Sequence, residues 1–404
     1  MEKNSYKLSR AWAEIHIDKI KSNIKSIKSH LNKDTKLMAV VKADAYGHGF
    51  YEIAKIASQN GADYLAVACI DEAKQIRRRG IETPVLILGA TPFECVPDLF
   101  EYNVIPTVFD ENLAKVISEY AERNNISLKI HIKIDTGMGR LGFLYMDKNS
   151  IASKNSLGTI LNISRLKGIE VEGIFTHFSN ADDENGAQIT KKQFELFCDL
   201  REQLQKNGLN IPIPHAANSA AICLFPEMQC GMVRAGLILY GEYPSLYAKE
   251  NTNLNVSPVM EIKARISQIK ELEADIGISY GKTFVTSRKT KLATVCVGYA
   301  DSYFRGLSNK APVLIDGKKA MQVGNICMDQ MVIDITEIDN AAYGDIVTLI
   351  GKDGENEITF SEIADILSTI NYEIMCNVGK RVVKAYLEGD KLIEVVNYLE
   401  WLAL

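Results

Sequence analysis

Apolar residues over the first 240 positions fall into short runs separated by helical periods. The β-rich runs are LMAVV at 37–41, YLAVA at 64–68, PVLILG at 84–89, NVIPTVF at 103–109, LKIHIKID at 128–135 and VEGIFTHF at 171–178. IPIPHAA at 211–217 and VRAGLILYG at 233–241 bring the count to about eight, the number that closes a (β/α)8 barrel. Between the runs, Asp18 is placed to cap a helix striped by Ile20, Ile24, Ile27 and Leu31, and Phe197, Leu200 and Leu204 stripe another that stops at Asn207-Gly208. Alternation of this kind argues for a parallel barrel rather than a sandwich. After Tyr240 a polar, loop-like stretch leads into MEIKARISQIKEL, KLATVCVGY, APVLIDGKKAMQVG, QMVIDIT and GDIVTLIG, with one helix expected at 361–370. The pattern predicts an α/β chain: a TIM-like barrel over 12–250, then a mainly antiparallel β domain over 251–404 on which residues 1–11 are free to pack.

Composition narrows the class of partner. At 404 residues, with 47% apolar and 24% charged residues, the chain is long enough for two packed cores. A net charge of −5 implies no general attraction to nucleic acid or an anionic membrane, which leaves a small molecule as the default partner. The start MEKNSYKLSR lacks the apolar stretch of a signal peptide and no run is long enough for a membrane span, so a cytoplasmic protein is expected. The eight cysteines stand singly, without a CxxC pair, and are expected to be mostly buried thiols; no metal site is expected.

The candidate chemistry begins at AVVKADAYGHG, 39–49, where Lys42 ends the first strand. Active sites of (β/α)8 enzymes gather at the C-terminal ends of the strands, and partial desolvation there lowers an amine's pKa and readies it to form a Schiff base with an aldehyde. A lysine that simply leaves a strand end for solvent is the commoner outcome at such a position.

The stretch resembles the cofactor-lysine motif of the alanine racemases, and the resemblance runs nearly end to end: WAEIHID at 12–18, KIDTGMGRLGF at 133–143, THFSNAD at 176–182, HAANSAA at 215–221, VRAGLILYG at 233–241, ISYGKTF at 278–284, GYADSYFR at 298–305 and NICMDQM at 325–331. It implies a pyridoxal-phosphate-binding barrel followed by a β domain, and a two-base racemase. Lys42 would carry the Schiff base and act on one face of the substrate's α-carbon, with Tyr280, delivered from the partner subunit of a homodimer, on the other. Tyr46 would reach the phosphate, along with Ser219 and the backbone at Gly236 and Leu237, with Asn218 beside them. Arg234 would meet the pyridine nitrogen, and His177 would link it to the tyrosine. Arg140 would hold the substrate carboxylate, steadied by a carbamylated Lys133; Met328, Asp329 and Tyr299 would line the substrate side. Seen alone, each has a blander reading: Tyr46 a packed aromatic, His177 a strand-end histidine, Arg234 a structural ion pair, Ser219 a helix cap.

GMGRLG at 137–142 also satisfies a dinucleotide-loop pattern, but no acidic residue follows about twenty positions on to take a ribose. Four positions depart from the family pattern. Lys380 stands where a phosphate-touching tyrosine is usual, Asn325 replaces an arginine, and Ser302 and Phe304 stand where glycine and proline are common. Alanine is the first expected substrate, with serine or a larger or basic amino acid as the alternative. A non-catalytic pyridoxal phosphate carrier and a basic-amino-acid decarboxylase are the readings from other classes.

Overall fold

The computed structural model describes residues 9–401. The described residues divide into two compact units, one formed by residues 20–45 and 50–258, the other by residues 9–19, 46–49 and 259–401.

The first unit is the expected parallel barrel. Eight strands, Lys36–Val40, Tyr64–Val67, Val85–Ile87, Ile105–Val108, Leu128–Asp135, Ile169–Phe175, Ile213–His215 and Met232–Ala235, pair in parallel in chain order, and the last also pairs with the first. The remaining seam, between Ile213–His215 and Met232–Ala235, is stitched by Gly231 N–H to Pro214 O and Arg234 N–H to Ala217 O, both 3.0 Å. The outer helices bury the stripes read from sequence: Ile20, Ile24 and Ile27 lie under helix Ile17–His30, and Phe197, Leu200 and Leu204 under helix Ala187–Lys206. Burial of such stripes, at about 25 cal/mol per Å² of apolar surface, is what holds these helices on the barrel.

In the second unit ten strands form one mostly antiparallel sheet, with Met260–Leu272 near its middle. Several expectations are corrected. Strand Ala11–His16, assigned from sequence mostly to the barrel, lies in this sheet, antiparallel to Met260–Leu272 and parallel to Val383–Glu388, where Trp12 packs with Val383, Ala385 and Leu387. Its first five residues are all buried, as a strand in either unit can be, so local pattern could not decide which. Of residues 1–11, the first eight lie outside the described residues. The nine-residue run 233–241 is a four-residue strand followed by a turn of 3-10 helix, Leu237–Tyr240, and the polar stretch after Tyr240 holds a short helix, Leu246–Glu250, capped by Ser245. Asp18 lies inside the first helical turn rather than capping it. None of the eight cysteines is in a disulfide; Cys223 is buried and Cys376 is exposed, and the other six lie between. Among the described residues no helix is long and apolar enough to cross a membrane.

Candidate active site

Lys42 is fixed by an unusual piece of backbone. Ala43, Asp44, Ala45 and Tyr46 follow it at φ 54°, 53°, 53° and 52°, a full left-handed turn built without glycine. Each such residue costs roughly 1–2 kcal/mol, so the turn persists only because its surroundings hold it. Glu72 does much of this: Oε1 accepts from Ala43 N–H and Oε2 from Ala68 N–H, both at 2.7 Å. Asp44 Oδ1 accepts from Phe50 N–H at 2.9 Å. Tyr46 is buried with its ring against Tyr372, and burial raises its hydroxyl pKa.

Arg234, at the end of Met232–Ala235, is 4% exposed and lies in a cradle of acceptors. Nη1 donates to His215 Nδ1 and His215 O, both 3.0 Å; Nη2 donates to Thr176 O at 2.8 Å and Ala216 O at 2.9 Å, with His177 Nδ1 at 3.3 Å. A guanidinium has four hydrogens on its two Nη atoms, and this set occupies them all, leaving Nε outside it. Burial pulls the pKa of Arg234 down to about 9, so the group stays charged at neutral pH. His177 is driven well below its usual pKa by burial, then by the charges of Arg234, Lys133, Arg140 and Lys42. Lys133 lies with Nζ 4.6 Å from the centre of the Phe175 ring, and burial, Arg234 and Arg140 together favour its neutral amine. Arg140 is exposed, on the loop that follows.

That loop also disposes of the dinucleotide pattern. Asp135 Oδ1 accepts from the amides of Gly137 (2.9 Å), Met138 (2.9 Å) and Gly139 (3.1 Å), so the N–H groups a pyrophosphate would need are occupied by the chain's own carboxylate.

Asn218, not Ser219, caps helix Ser219–Leu224, accepting from Ala221 N–H at 3.0 Å. Ser219 instead accepts from Gly236 N–H at 3.0 Å, which ties the start of this helix to the turn beginning at Leu237 and leaves the serine O–H free to donate.

The remaining candidates belong to the second unit. Tyr280 is 72% exposed on a turn in which Ser279 Oγ donates to Asn325 O at 2.5 Å and Asn325 Nδ2 donates to Tyr280 O at 2.7 Å. Asn325 is thus the clasp of that turn. Tyr299 and Met328 are also largely exposed and sit together, because Tyr299 N–H bonds Cys327 O and Ala300 N–H bonds Met328 O, both at 3.0 Å. Asp329 accepts from Arg381 Nη2 at 2.6 Å, and Arg381 also faces the fully buried Asp301 carboxylate, which Arg10 grips with both Nη atoms. Ser302 explains why glycine suits its position: its φ is +79°, and its hydroxyl bonds Asn377 O and accepts from Gly379 N–H at 2.8 Å, steadying the turn that ends at the exposed Lys380.

Sequence reasoning passed over His215, His131, Glu172, Thr176 and Glu72. One signal was available: LKIHIKID puts Lys129, His131, Lys133 and Asp135 at every second position, so a strand of a parallel barrel, expected to be apolar on both faces, carries a polar interior face.

The chain matches two family models, described as alanine racemase, N-terminal domain, over residues 15–244, and alanine racemase, C-terminal domain, over 259–386. The alanine racemase of Methanococcus maripaludis is 46% identical over 377 residues, covering 93% of this chain and 98% of that protein. Among solved structures, alanine racemase of Clostridium difficile 630 superposes with TM-score 0.90 at 39% identity, covering 97% of this chain and 99% of that one. That of Bartonella henselae, solved with covalently bound pyridoxal phosphate, gives 0.82 at 30% identity, covering 94% and 100%. A parallel barrel with a buried arginine at its strand ends, in a chain that also carries an antiparallel β unit, is, with these likenesses, an amino-acid racemase. The chain belongs to the alanine racemase family.

Proposed function

We propose that the protein racemises alanine with pyridoxal phosphate, as a homodimer whose active sites each draw on both subunits. The observation that carries this reading is the Arg234 cradle. With every Nη hydrogen engaged, Nε–H is the donor left for a ring nitrogen, and an arginine there holds its own proton and leaves that nitrogen unprotonated. Such a contact moderates the cofactor's electron withdrawal and favours proton exchange at the α-carbon over loss of the carboxylate, which argues against a decarboxylase. The residues fit the cofactor in two further respects: Lys42 stands at a strand end on a rigid turn, and the Ser219 hydroxyl keeps a hydrogen for a phosphate oxygen, beside Asn218, Gly236 and Leu237. By the family match, Tyr46 and Lys380 serve the same phosphate. Pyridoxal phosphate held through Lys42 would, once the substrate amine takes that lysine's place, draw electron density from the substrate's α-carbon and so acidify its C–H bond, leaving the Lys42 amine free to move the proton.

The proton work falls to the protein. Lys42 Nζ takes or returns the proton on one face, and the hydroxyl of Tyr280 of the partner subunit does so on the other; one base alone would restore the starting enantiomer. His177 Nδ1 lies 3.3 Å from the donor-only Arg234 Nη2, where an N–H would meet N–H, so it presents its lone pair and the ring proton sits on Nε2, placed to donate to the tyrosine oxygen. Arg140 binds the substrate carboxylate in a bidentate fork, with Tyr299, Met328 and Asp329 lining the substrate side. The neutral amine favoured at Lys133 is the form that adds carbon dioxide, and the resulting carbamate would steady Arg140. The exposure of Tyr280, Tyr299 and Met328 suits a face that a second subunit covers. A soluble setting in the cytoplasm accords with this chemistry.

The test is chiral analysis of purified protein with pyridoxal phosphate and, separately, L-alanine, L-serine, L-lysine and L-arginine. Formation of D-alanine fastest by at least tenfold is expected. A faster serine or basic substrate would make Lys380 the specificity determinant, and a protein that binds the cofactor but turns over none would be a carrier.

A further inference from the structure

A line of buried polar groups runs through the barrel interior away from Arg234. Arg234 Nη1 lies 3.0 Å from His215 Nδ1; His215 Nε2 lies 2.9 Å from His131 Nδ1; His131 Nε2 lies 3.3 Å from Glu172 Oε2. Both imidazoles are fully buried, and burial keeps them neutral. Glu172 is 7% exposed. Burial opposes its ionisation, but the hydrogen bonds from His131 and Lys129 outweigh that and hold its carboxyl below the usual range. Lys129 Nζ approaches Glu172 Oε1 at 2.6 Å from a side chain 51% exposed, and burial together with the Glu172 charge raises the pKa of the Tyr64 hydroxyl.

Two local features build this line. The pairing of Leu128–Asp135 with Ile169–Phe175 slips between Ile130↔Val171 and His131↔Gly173, so Glu172 is an extra residue in a bulge, which redirects its side chain. Gly173 then makes room: a Cβ there would lie 2.4 Å from His131 Cε1.

The proton positions follow by elimination. A guanidinium only donates, so His215 Nδ1 must be a lone pair and its proton sits on Nε2. His131 Nδ1 must then accept, so its proton sits on Nε2 and points at Glu172, which as a carboxylate only accepts. The donors all run one way, from a cation that cannot accept to an anion that cannot donate.

We propose that Glu172 is a positioning residue for Arg234: by fixing the tautomers of His131 and His215, it keeps a lone pair facing Nη1 and so holds the guanidinium with Nε–H turned outward. The opposite tautomer of His215 would aim N–H at N–H and push the guanidinium out of its cradle. This rests on the reading of Arg234 as the ring-nitrogen partner. Neither His131 nor Glu172 touches substrate or cofactor in that reading.

Neutron diffraction from deuterium-exchanged protein tests the proton positions without reference to activity. A deuteron on Nε2 and none on Nδ1 is expected in both histidines; a deuteron on Nδ1 of His215 would overturn the proposal. Glu172→Gln supplies the functional arm, since an amide both donates and accepts and no longer enforces the direction. The variant should melt within a few degrees of wild type and bind pyridoxal phosphate, with kcat for alanine reduced about tenfold and KM changed less than twofold. Glu172→Ala, which removes the acceptor altogether, should lose at least as much kcat. An unchanged kcat in both variants, with the cofactor bound, would reduce the relay to a structural feature of the barrel. A wild type that racemises nothing would remove the functional reading instead, while the neutron result still decides the tautomers.

Discussion

The two proposed bases sit in different surroundings, although both stand beside left-handed backbone. Lys42 precedes four such residues braced by the carboxylates of Glu72 and Asp44, whereas Tyr280 is 72% exposed between Ser279, at φ 61°, and Lys282, at φ 48°, on a turn clasped through Ser279 and Asn325. Strain of this kind is tolerated where a side chain must keep one position against its own backbone preference. A large aromatic left in solvent, by contrast, suits a group completed by something outside its own chain. In the proposed homodimer, one half of the reaction centre would be preassembled within a subunit and the other supplied on assembly.

Removing each base should break this comparison in different ways. Lys42→Ala should abolish racemisation together with the absorbance of covalently held cofactor. Tyr280→Phe should keep that absorbance and lose about 10²–10⁴-fold in kcat, the range for a positioned acid–base group. A Tyr280→Phe enzyme with native turnover would end the two-base account.

Bracing is the next target. Glu72→Ala leaves two exposed backbone amides to water and should cost about 1 kcal/mol, read as a lowered Tm, with impaired cofactor binding. Asn325→Ala, at the corresponding clasp beside Tyr280, should leave Tm within a few degrees and lower kcat.

A subtler effect comes from the buried imidazoles. His131 and His215 have folded-state pKa values lowered by burial, so in acid the unfolded chain takes up protons that the folded one refuses. Stability should be complete above pH 6.5 and fall below it by up to about 1.4 kcal/mol per pH unit for each histidine. Chemical denaturation between pH 7.5 and 5 checks this, and His131→Asn should flatten the slope.

Much of this was legible in the chain because period and punctuation are local. The eight runs became eight barrel strands, and Asn207-Gly208 ended its helix. Strand Ala11–His16 was misplaced because its partners lie some 250 and 370 residues away in sequence, beyond the reach of any local pattern. The family resemblance supplied Lys42 and Arg234 as candidates, but not what holds them. The left-handed turn uses Ala-Asp-Ala-Tyr where glycine would have announced it, and the Glu172 bulge depends on a register slip between two strands. His131 left a trace in its alternation with Lys129 and Lys133; Glu172 left none.

The most direct measurement mixes the two base variants. Lys42→Ala and Tyr280→Phe chains are unfolded together, refolded with pyridoxal phosphate, and the hybrid dimers confirmed by native mass spectrometry. If each active site takes its lysine from one subunit and its tyrosine from the other, half of a random mixture is hybrid with one intact site of two, and about a quarter of wild-type alanine racemisation returns. Confirmed hybrids no more active than the parent variants would contradict the shared site.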